Sequence, residues 1–381
     1  MNNAPLDSAP PLPGLYIHIP FCRGKCPYCD FYSSTELGLV DGFLAGAARE
    51  MDQFREMFPL VDTVYLGGGT PSVLGMDKLS FLWRQITDKF ILTGRTEVTI
   101  EVNPGDDLPY PRLLDIGFNR INLGVQSFSN KTLEFLGRRH NVTLALRSIE
   151  EAHRAGFNNI GIDLIYGTPT EDLADFLCSL TLAASLPITH LSCYQLTLEK
   201  DTPLCRRRQA GEFELPGEEA QRSFFLETSR GLEGLGFSHY EVSNFAKGEI
   251  HESRHNRKYW RHLPYLGIGP GAHSFLGNRR WWNPPDLEQY LSGLARGEAP
   301  AMEGENLSPE ELLTETIYLG LRTKRGIDLG KIKTDYHRDL WEEKKEVLQG
   351  LLRDGLLIKE GERLSPTREG MALADSLALL F

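Results

Sequence analysis

Residues 15–31 read LYIHIPFCRGKCPYCDF, and this stretch decides how the rest of the chain is interpreted. Its first five residues form a short apolar run that predicts a strand. Three cysteines follow at once, Cys22, Cys26 and Cys29, in the spacing Cys-x3-Cys-x2-Cys. Three thiolates on one short loop can bind three irons of a [4Fe-4S] cluster, and the fourth iron is then open to an outside ligand. The sequence therefore predicts an iron–sulfur cluster directly after the first strand.

Two other interpretations of the cysteine cluster are open at this point. A zinc ion would need a fourth ligand, which Asp30 or His18 could supply. The three thiols could also be reduced and packed in the core. The iron–sulfur cluster is favoured because the cysteines come directly after a predicted strand. The three remaining cysteines are scattered and are expected to be ordinary thiols: Cys178, Cys193 and Cys205.

Length and composition limit the possible classes of protein. The chain has 381 residues, of which 41% are apolar, so it can form a large core. Its formal net charge of −11 argues against general binding of nucleic acid or of anionic membranes. There is no apolar run long enough to span a bilayer. Residues 1–14 do not resemble a signal peptide and are expected to be a disordered leader. A cytoplasmic location is expected, with transient membrane contact left open.

Alternating strands and helices predict an α/β fold. The candidate strands are residues 15–19, 63–66, 97–102, 120–125, 160–165, 190–195 and 239–242. Helix-like stretches between them imply parallel pairing, because crossovers of this length join parallel strands. Six or seven such units indicate a full or partial (β/α) barrel over residues 15–245, with an open doubly wound sheet as the alternative. Ligands are then expected at the carboxyl ends of the strands.

The last third of the chain has a different character. Residues 246–306 are rich in Gly, His, Arg and aromatic side chains, and residues 296–306 are interpreted as a linker. Residues 307–381 predict helices, a small hairpin and a last helix, an order that is similar to a winged-helix domain. From residue 308 onward this tail holds 12 Lys and Arg against 14 Asp and Glu, so phosphate binding is not supported.

The cysteine loop, together with the glycine run at residues 67–71, resembles the radical S-adenosylmethionine (SAM) superfamily. It resembles most closely the branch formed by oxygen-independent coproporphyrinogen III oxidase (HemN) and the heme chaperone HemW. The resemblance runs from residue 15 to the C-terminal module. It implies a partial TIM-like barrel of the radical SAM type, with SAM bound to the open iron through its amino and carboxylate groups. One-electron cleavage of SAM then gives methionine and a 5′-deoxyadenosyl radical.

Polar residues at the predicted strand ends are candidate SAM ligands. A buried acid in a strand as apolar as residues 160–165 requires a polar partner, and so does an amide at the end of residues 120–125. An Arg–carboxylate pair is geometrically favoured, so Arg138 is expected to meet the SAM carboxylate, although the neighbouring Arg139 competes with it. Carboxylates at the strand ends are expected to accept from ribose hydroxyls. The resemblance implies that the glycine loop lies near the methionyl amine and that Tyr16 and Thr197 lie near the adenine and ribose. The residues assigned to SAM are Tyr16, Gly68, Gly69, Thr70, Glu101, Gln126, Arg138, Asp163 and Thr197.

Two features separate the members of this branch. Cys29 is followed by Asp30 and Phe31, whereas the oxidase pattern has Gly and a further Cys there. Residues 255–260, HNRKYW, match the His-Asn-x-x-Tyr-Trp motif of the heme chaperones. A neutral imidazole is a good axial ligand of heme iron, so His255 is the predicted heme ligand. The alternative is a structural histidine bonded to Asn256 or to a backbone carbonyl. The reserve ligands are His251, His262 and His273; Ser253 stands where relatives often have Cys.

The leading hypothesis is a heme chaperone that carries a SAM-linked cluster and delivers heme to acceptor hemoproteins such as respiratory enzymes. A heme donor protein and a homodimer are left open, and no nucleic acid is expected. The rival hypotheses are a coproporphyrinogen III oxidase and another radical SAM enzyme that acts on a tetrapyrrole. The sequence leaves open whether SAM is cleaved during turnover.

Overall fold

A computed structural model describes residues 11–297 and 303–381. Six parallel strands form the centre of a twelve-stranded sheet and follow one another in chain order. They are β1 (Gly14–Ile19), β2 (Leu60–Gly68), β3 (Ile91–Val102), β4 (Arg120–Gln126), β5 (Ile160–Tyr166) and β6 (His190–Gln195). The order contains no reversal, as a doubly wound sheet would require. The predicted partial (β/α) barrel is therefore confirmed.

Helices follow the parallel strands and cover the outer face of the sheet. They are α1 (Val40–Phe54), α2 (Gly75–Lys89), α3 (Tyr110–Asp115), α4 (Asn130–Phe135), α5 (Val142–Ala155), α6 (Leu173–Ser185), α7 (Pro203–Gln209) and α8 (Glu218–Gly234). Helix α1 packs on the sheet because its buried residues recur every three or four positions and so form one apolar face. They share a hydrophobic cluster with Leu15, Ile17 and Ile19 of β1. Because side chains alternate along a strand, Tyr16 and His18 face the barrel interior.

Short strands extend the sheet at both edges. Next to β6 lie β7 (Ser238–Glu241) and β8 (Asn244–Ala246). Residues 239–242 were predicted to be a seventh parallel strand, and this prediction is wrong. A tight turn joins β7 directly to β8, so the two strands pair antiparallel, and β8 pairs antiparallel with β6.

The chain then crosses to the other edge of the sheet. Helix α9 (Arg254–Trp260) leads to β9 (Tyr265–Ile268), which pairs in parallel with β1. Strands β10 (His273–Leu276) and β11 (Arg279–Trp282) follow, then α10 (Leu287–Ala295) and β12 (Glu303–Asn306). The predicted boundary at residue 245 therefore does not divide the sheet. The end of the predicted linker is β12, paired with β11, whereas residues 298–302 lie outside the described residues.

The predicted leader falls mostly on residues 1–10, which lie outside the described residues. The described end of this segment is attached to the barrel. The Lys258 ammonium of α9 donates to the Leu12 carbonyl at 2.6 Å and pairs with Asp62 at 2.6 Å. Gly14 begins β1, and its amide donates to the Pro264 carbonyl. The amino end of the barrel is thus joined to α9 before the first strand begins.

The C-terminal residues have a hydrophobic cluster of their own, which includes Leu313, Leu348 and Leu364. Their elements are α11 (Pro309–Leu321), β13 (Ile327–Asp328), α12 (Leu329–Tyr336), α13 (Leu340–Glu343), α14 (Lys345–Arg353), β14 (Leu357–Glu360), β15 (Arg363–Pro366), α15 (Arg368–Met371) and α16 (Ala374–Ala378). A capping box starts α11, as the sequence indicates. Strands β14 and β15 form the predicted hairpin. None of the helices in the described part of the chain is both long and apolar enough to cross a membrane.

A buried carboxyl joins α1 to the extension of the sheet. Glu50 accepts hydrogen bonds from the Tyr290 hydroxyl at 2.6 Å, the Asn283 amide at 2.6 Å and the Gly269 amide at 2.9 Å. Burial nevertheless raises the pKa of Glu50 to about 7, and the three donors offset this only in part. The folded protein therefore holds this proton more tightly than the unfolded chain does.

This raised pKa predicts a pH dependence of stability. The contribution of Glu50 is fully present below its unfolded pKa and is lost as the pH rises through about 7. In Glu50→Gln this contribution is absent. Between pH 5 and pH 8 the free energy of unfolding of the variant should therefore fall by on the order of 2 kcal/mol less than that of the unaltered protein. Urea unfolding of both proteins across this range measures the difference. Equal pH slopes would contradict the assignment.

Candidate functional site

The cysteine loop leaves the carboxyl end of β1 and is held by backbone hydrogen bonds at its base and within it. The Cys22 amide donates to the Ser34 carbonyl at 3.0 Å, and the Cys29 amide donates to the Cys26 carbonyl at 3.1 Å. All three cysteines are free and half-buried. Burial raises the pKa of the Cys29 thiol, and the neighbouring cysteines add to this effect. The loop thus presents three thiols at the barrel mouth.

The donor set of this loop fits an iron–sulfur cluster. Within the described residues, no three Cys, His, Asp or Glu side chains are grouped closely enough to hold a single metal ion. His18, a possible fourth zinc ligand, has both ring nitrogens occupied: one contacts the Tyr16 hydroxyl at 3.1 Å and the other the Tyr32 carbonyl at 2.9 Å. A [4Fe-4S] cluster requires only that each thiolate reach a different iron.

The glycine loop after β2 packs directly against the start of the cysteine loop. The Gly69 amide donates to the Ile19 carbonyl at 2.8 Å, and the Thr70 amide donates to the Phe21 carbonyl at 2.7 Å. A Cβ at Gly69 would lie 2.8 Å and 2.7 Å from these same two oxygens. Gly68 has a φ of +99°, and a Cβ there would lie 2.5 Å from the His18 ring. These glycines are required because the two backbones approach so closely.

Arg138 connects the cysteine loop to the strand ends. Its guanidinium donates to the Cys26 thiol at 3.3 Å, the Tyr28 hydroxyl at 3.4 Å and the Gly124 carbonyl at 3.0 Å. It also donates to the Asn103 side-chain oxygen. Its Nε is buried without a partner. Arg139 is exposed, so only Arg138 of the two neighbours contacts the cysteine loop in this way.

Two acids face the barrel interior, Glu101 from β3 and Asp163 from β5, with β4 between the two strands. The Tyr65 hydroxyl donates to Glu101 at 2.7 Å, and the Asn122 amide donates to one oxygen of Asp163 at 2.7 Å. The other oxygen of Asp163 is buried and has no partner at hydrogen-bond distance among the described residues, although the nearby Ser192 hydroxyl partly offsets the effect of burial on its pKa. Burial, with a smaller effect of the nearby Asp163, raises the pKa of Glu101 to about 7, and the hydrogen bond from Tyr65 offsets this only in part. Burial also raises the pKa of Asp163.

These unsatisfied groups indicate where a polar ligand would bind. Buried polar atoms are rarely left without partners in folded proteins. The free Nε of Arg138 suits a carboxylate, and the free oxygen of Asp163 suits a hydroxyl or an amine. SAM carries all three of these groups. The residues present therefore fit the cofactor that the sequence predicts.

The other predicted SAM residues vary in how closely they join this site. Gln126 ends β4 with a φ of 69°, a left-handed conformation that is unusual for a residue with a side chain and often marks a functional site. Thr70 lies 3.4 Å from the Cys22 thiol. Tyr16 faces the interior. Thr197 is exposed beyond β6, and its hydroxyl contacts the Gln195 carbonyl at 3.5 Å. Within residues 11–297 and 303–381, no hydrogen bond joins it to the other predicted SAM residues.

Asn103 is the clearest site residue that the sequence reasoning missed. Its amide nitrogen donates to the Thr70 hydroxyl at 3.1 Å, and its oxygen accepts from Arg138. It thereby joins the glycine loop to the arginine. Its position two residues after Glu101, directly before a proline, was the available signal, because side chains just past a strand end point toward the same ligand region.

His255 lies at the opposite, amino end of the barrel. Its ring is hydrogen-bonded to the Thr63 hydroxyl at 2.9 Å and to the Tyr259 hydroxyl at 2.9 Å. The residue is only 1% exposed. Burial lowers its pKa to about 3, and Lys258 adds to this effect. Heme ligation by His255 stays a prediction, and in this structure neither ring nitrogen is free. Ser253 caps α9 by accepting from the Asn256 amide.

Glu101 provides a test of the ligand site. If it accepts hydrogen bonds from ribose hydroxyls, only its ionised form binds SAM well. Because its pKa is about 7, SAM affinity should rise as the pH increases from 6 to 8. Glu101→Gln should bind SAM roughly tenfold more weakly and lose this pH dependence. Equilibrium dialysis with labelled SAM measures both effects. An unchanged pH profile in the variant would remove Glu101 from the site.

Comparison with known proteins places these features in a family. The Radical SAM superfamily model matches residues 16–182, and the HemN C-terminal domain model matches residues 307–373. The solved structure of coproporphyrinogen III oxidase (HemN) from Escherichia coli has the same fold, with a TM-score of 0.84 at 23% identity over 97% of this chain and 90% of that chain. The fold and the cysteine loop thus define a radical SAM protein.

Several proteins are similar to this chain over nearly its whole length. The heme chaperone HemW of Mycobacterium tuberculosis (strain H37Rv) is 35% identical over 98% of this chain and 96% of the relative. The heme chaperone HemW of Bacillus subtilis is 33% identical over 95% and 97%. The mouse mitochondrial radical S-adenosyl methionine domain-containing protein 1 is 33% identical over 98% and 88%. This chain belongs to the HemW family of the radical SAM superfamily.

Proposed function

We propose that this protein is a heme chaperone, which binds heme and delivers it to acceptor hemoproteins such as respiratory enzymes. The observation that carries the proposal is the similarity to proteins named heme chaperone HemW, at 35% identity over 98% of the chain. The residues after Cys29 also support the proposal. Asp30 follows Cys29 here, whereas the oxidase pattern has Gly and then a further cysteine at this point.

In this proposal the cysteine loop holds a [4Fe-4S] cluster through Cys22, Cys26 and Cys29. SAM occupies the region bounded by the glycine loop, Arg138 and the two interior acids. Bound SAM supplies a radical when one electron cleaves it. Arg138 orients a carboxylate through its free Nε, and its bond to Cys26 holds that group beside the loop. Asp163 accepts from the ligand through its free oxygen.

The barrel also excludes water from the ligand. Tyr16, Tyr65, His255 and Tyr259 form a contiguous group of rings between the strand ends and α9. Neighbouring ring centroids in this group are 5.3 to 6.1 Å apart. The amino end of the barrel is closed by these rings, so small molecules must enter from the carboxyl end. A reactive species formed there is shielded on one side.

The proposal is tested with cluster-reconstituted protein under anaerobic conditions. One sample is titrated with ferric heme and followed by its Soret absorbance. A second sample receives SAM, a reductant and coproporphyrinogen III, and is analysed by chromatography for divinyl product and 5′-deoxyadenosine. We expect heme uptake in the first sample and no divinyl product in the second. Divinyl product would make the protein an oxidase, and absence of heme uptake would overturn the proposal.

A further inference from the structure

The histidines of this chain differ sharply in how accessible their rings are. The sequence has ten, all within the described residues, and only His153, His273 and His337 are exposed. His153 lies in the last turn of α5, and His337 ends α12 in the C-terminal domain. His273 is the first residue of β10, in the part of the sheet next to β1. It is therefore the one exposed imidazole on the sheet itself.

The side chain of His273 lies on the face that continues the barrel interior. Trp281 of β11 packs against Phe54 and Phe58, on the side covered by α1. Side chains alternate along a strand, so Trp282 lies on the opposite face. His273 pairs directly with Trp282 across the two strands, and paired residues share a face. Their rings are stacked, with centroids 5.4 Å apart and planes at 26°.

This face leads directly to the predicted SAM site. Tyr16 is paired with Gly267 of β9, and a Cβ at Gly267 would lie 2.1 Å from the His273 carbonyl. His273 is thus two strands from Tyr16, about 10 Å at the usual strand spacing. Gly267 lies between them and places no side chain on the surface. The His273 carbonyl fills the place that a side chain at Gly267 would take, so backbone and no other side chain of β9 lies between the imidazole and Tyr16.

The ring of His273 is also available for ligation. No residue in the described parts of the chain forms a hydrogen bond with either of its nitrogens, and its ring contact is with Trp282. Partial burial lowers its pKa, and nearby Arg280 lowers it further. The imidazole is therefore neutral at neutral pH, the form that binds iron.

The competing histidines are less accessible to heme than His273 is. His255 is bonded through both nitrogens and buried. His262 contacts Glu315 at 3.1 Å and Thr316 at 3.5 Å, and its ring is stacked on Phe275. The Nδ1 of His251 has no hydrogen-bond partner among the described residues, but it is buried. The His251 carbonyl accepts from the buried Arg120 guanidinium, which holds that segment in place. Ligation by His255 would require breaking one of its two internal hydrogen bonds and exposing a ring that is buried at the amino end of the barrel.

We propose that His273 is the axial ligand through which this protein binds heme iron, with Trp282 holding the imidazole in place. The proposal rests on the proposed heme-chaperone function and names its ligand. It places heme on the same face of the sheet as SAM. His255 is then a positioning residue that secures α9 against Thr63 and Tyr259.

The test compares His273→Ala, His255→Ala and a matched control, His337→Ala, which removes an exposed histidine from the C-terminal domain. Each cluster-reconstituted protein is titrated with ferric heme, and axial ligation is read from the Soret band and electron paramagnetic resonance. Circular dichroism monitors folding. We expect His273→Ala alone to lose the histidine-ligated spectrum while staying folded. Added imidazole should restore that spectrum. His255→Ala should melt at a lower temperature but, where folded, keep the histidine-ligated spectrum.

The outcomes distinguish failure of the His273 assignment from failure of the proposed heme-chaperone function. If the unaltered protein binds no heme, the proposed function and the assignment both fail. If it binds heme and His273→Ala shows the same histidine-ligated spectrum, only the assignment to His273 is overturned. Loss of the histidine signature in folded His255→Ala, with His273→Ala unchanged, would return the ligand to His255.

Discussion

Replacing Cys26 with serine is expected to leave the purified protein almost without iron and sulfide after reconstitution. The loop supplies only three thiolates, and each would bind a separate iron, so no other cysteine of the loop can replace the lost one. The substitution also removes the sulfur that accepts from Arg138 at 3.3 Å. SAM affinity should therefore fall together with the iron content. Iron and sulfide assays, with the visible charge-transfer absorbance, measure the loss.

The matched control is Cys178→Ser. Cys178 is an exposed free cysteine on α6, away from the loop, and its loss should leave the iron content unchanged. Circular dichroism shows whether both variants keep their secondary structure. Full iron and sulfide content in Cys26→Ser would show that the cluster is held by other residues, and the site would have to be redrawn.

Adding a single methyl group at Gly69 is expected to be nearly as damaging. In Gly69→Ala the new Cβ would be 2.7 Å and 2.8 Å from two backbone oxygens, which cannot move aside as a flexible side chain would. The cysteine loop and the glycine loop must separate. We expect the free energy of unfolding to fall by about 1–3 kcal/mol. Cluster assembly should also be impaired, because the displaced oxygens flank the segment that leads into Cys22.

Urea unfolding measures the loss of stability, and iron content measures the effect on the loop. Gly94→Ala is the control: Gly94 lies in β3, is exposed, and a Cβ there would meet nothing within 4 Å. We expect a change within about 0.5 kcal/mol for that variant. Equal stability of Gly69→Ala and Gly94→Ala would contradict the close approach of the two loops.

The sequence predicts the parallel part of the fold well, because buried strands and amphipathic helices leave clear periodic patterns. Each predicted strand from β1 to β6 is present. The edges of the sheet were predicted less well. Strands β8 to β12 are at most four residues long, too short for an alternating pattern to be distinctive. Residues 246–306 therefore looked like a separate segment, although β9 pairs with β1 and β10 to β12 continue the same sheet from it.

For the candidate site, too, the sequence indicated some residues and missed others. Motif position indicated the cysteine loop, the glycine loop and the interior acids. It did not show which of Arg138 and Arg139 faces the cysteine loop, because this depends on the direction of the loop after α4. It gave no reason to select Asn103. It also said nothing about which end of the barrel α9 closes, so His255 was interpreted as an accessible ligand although long-range packing buries it.

The most direct test of the central claim is heme delivery. Protein loaded with heme is mixed with respiratory membranes prepared from heme-starved cells, in the presence of a soluble scavenger of free heme, and oxygen consumption is followed. Free heme at the same concentration is the control. We predict that the loaded protein restores respiration while free heme, captured by the scavenger, does not. Equal or absent restoration in the two samples would contradict the account of this protein as a heme chaperone.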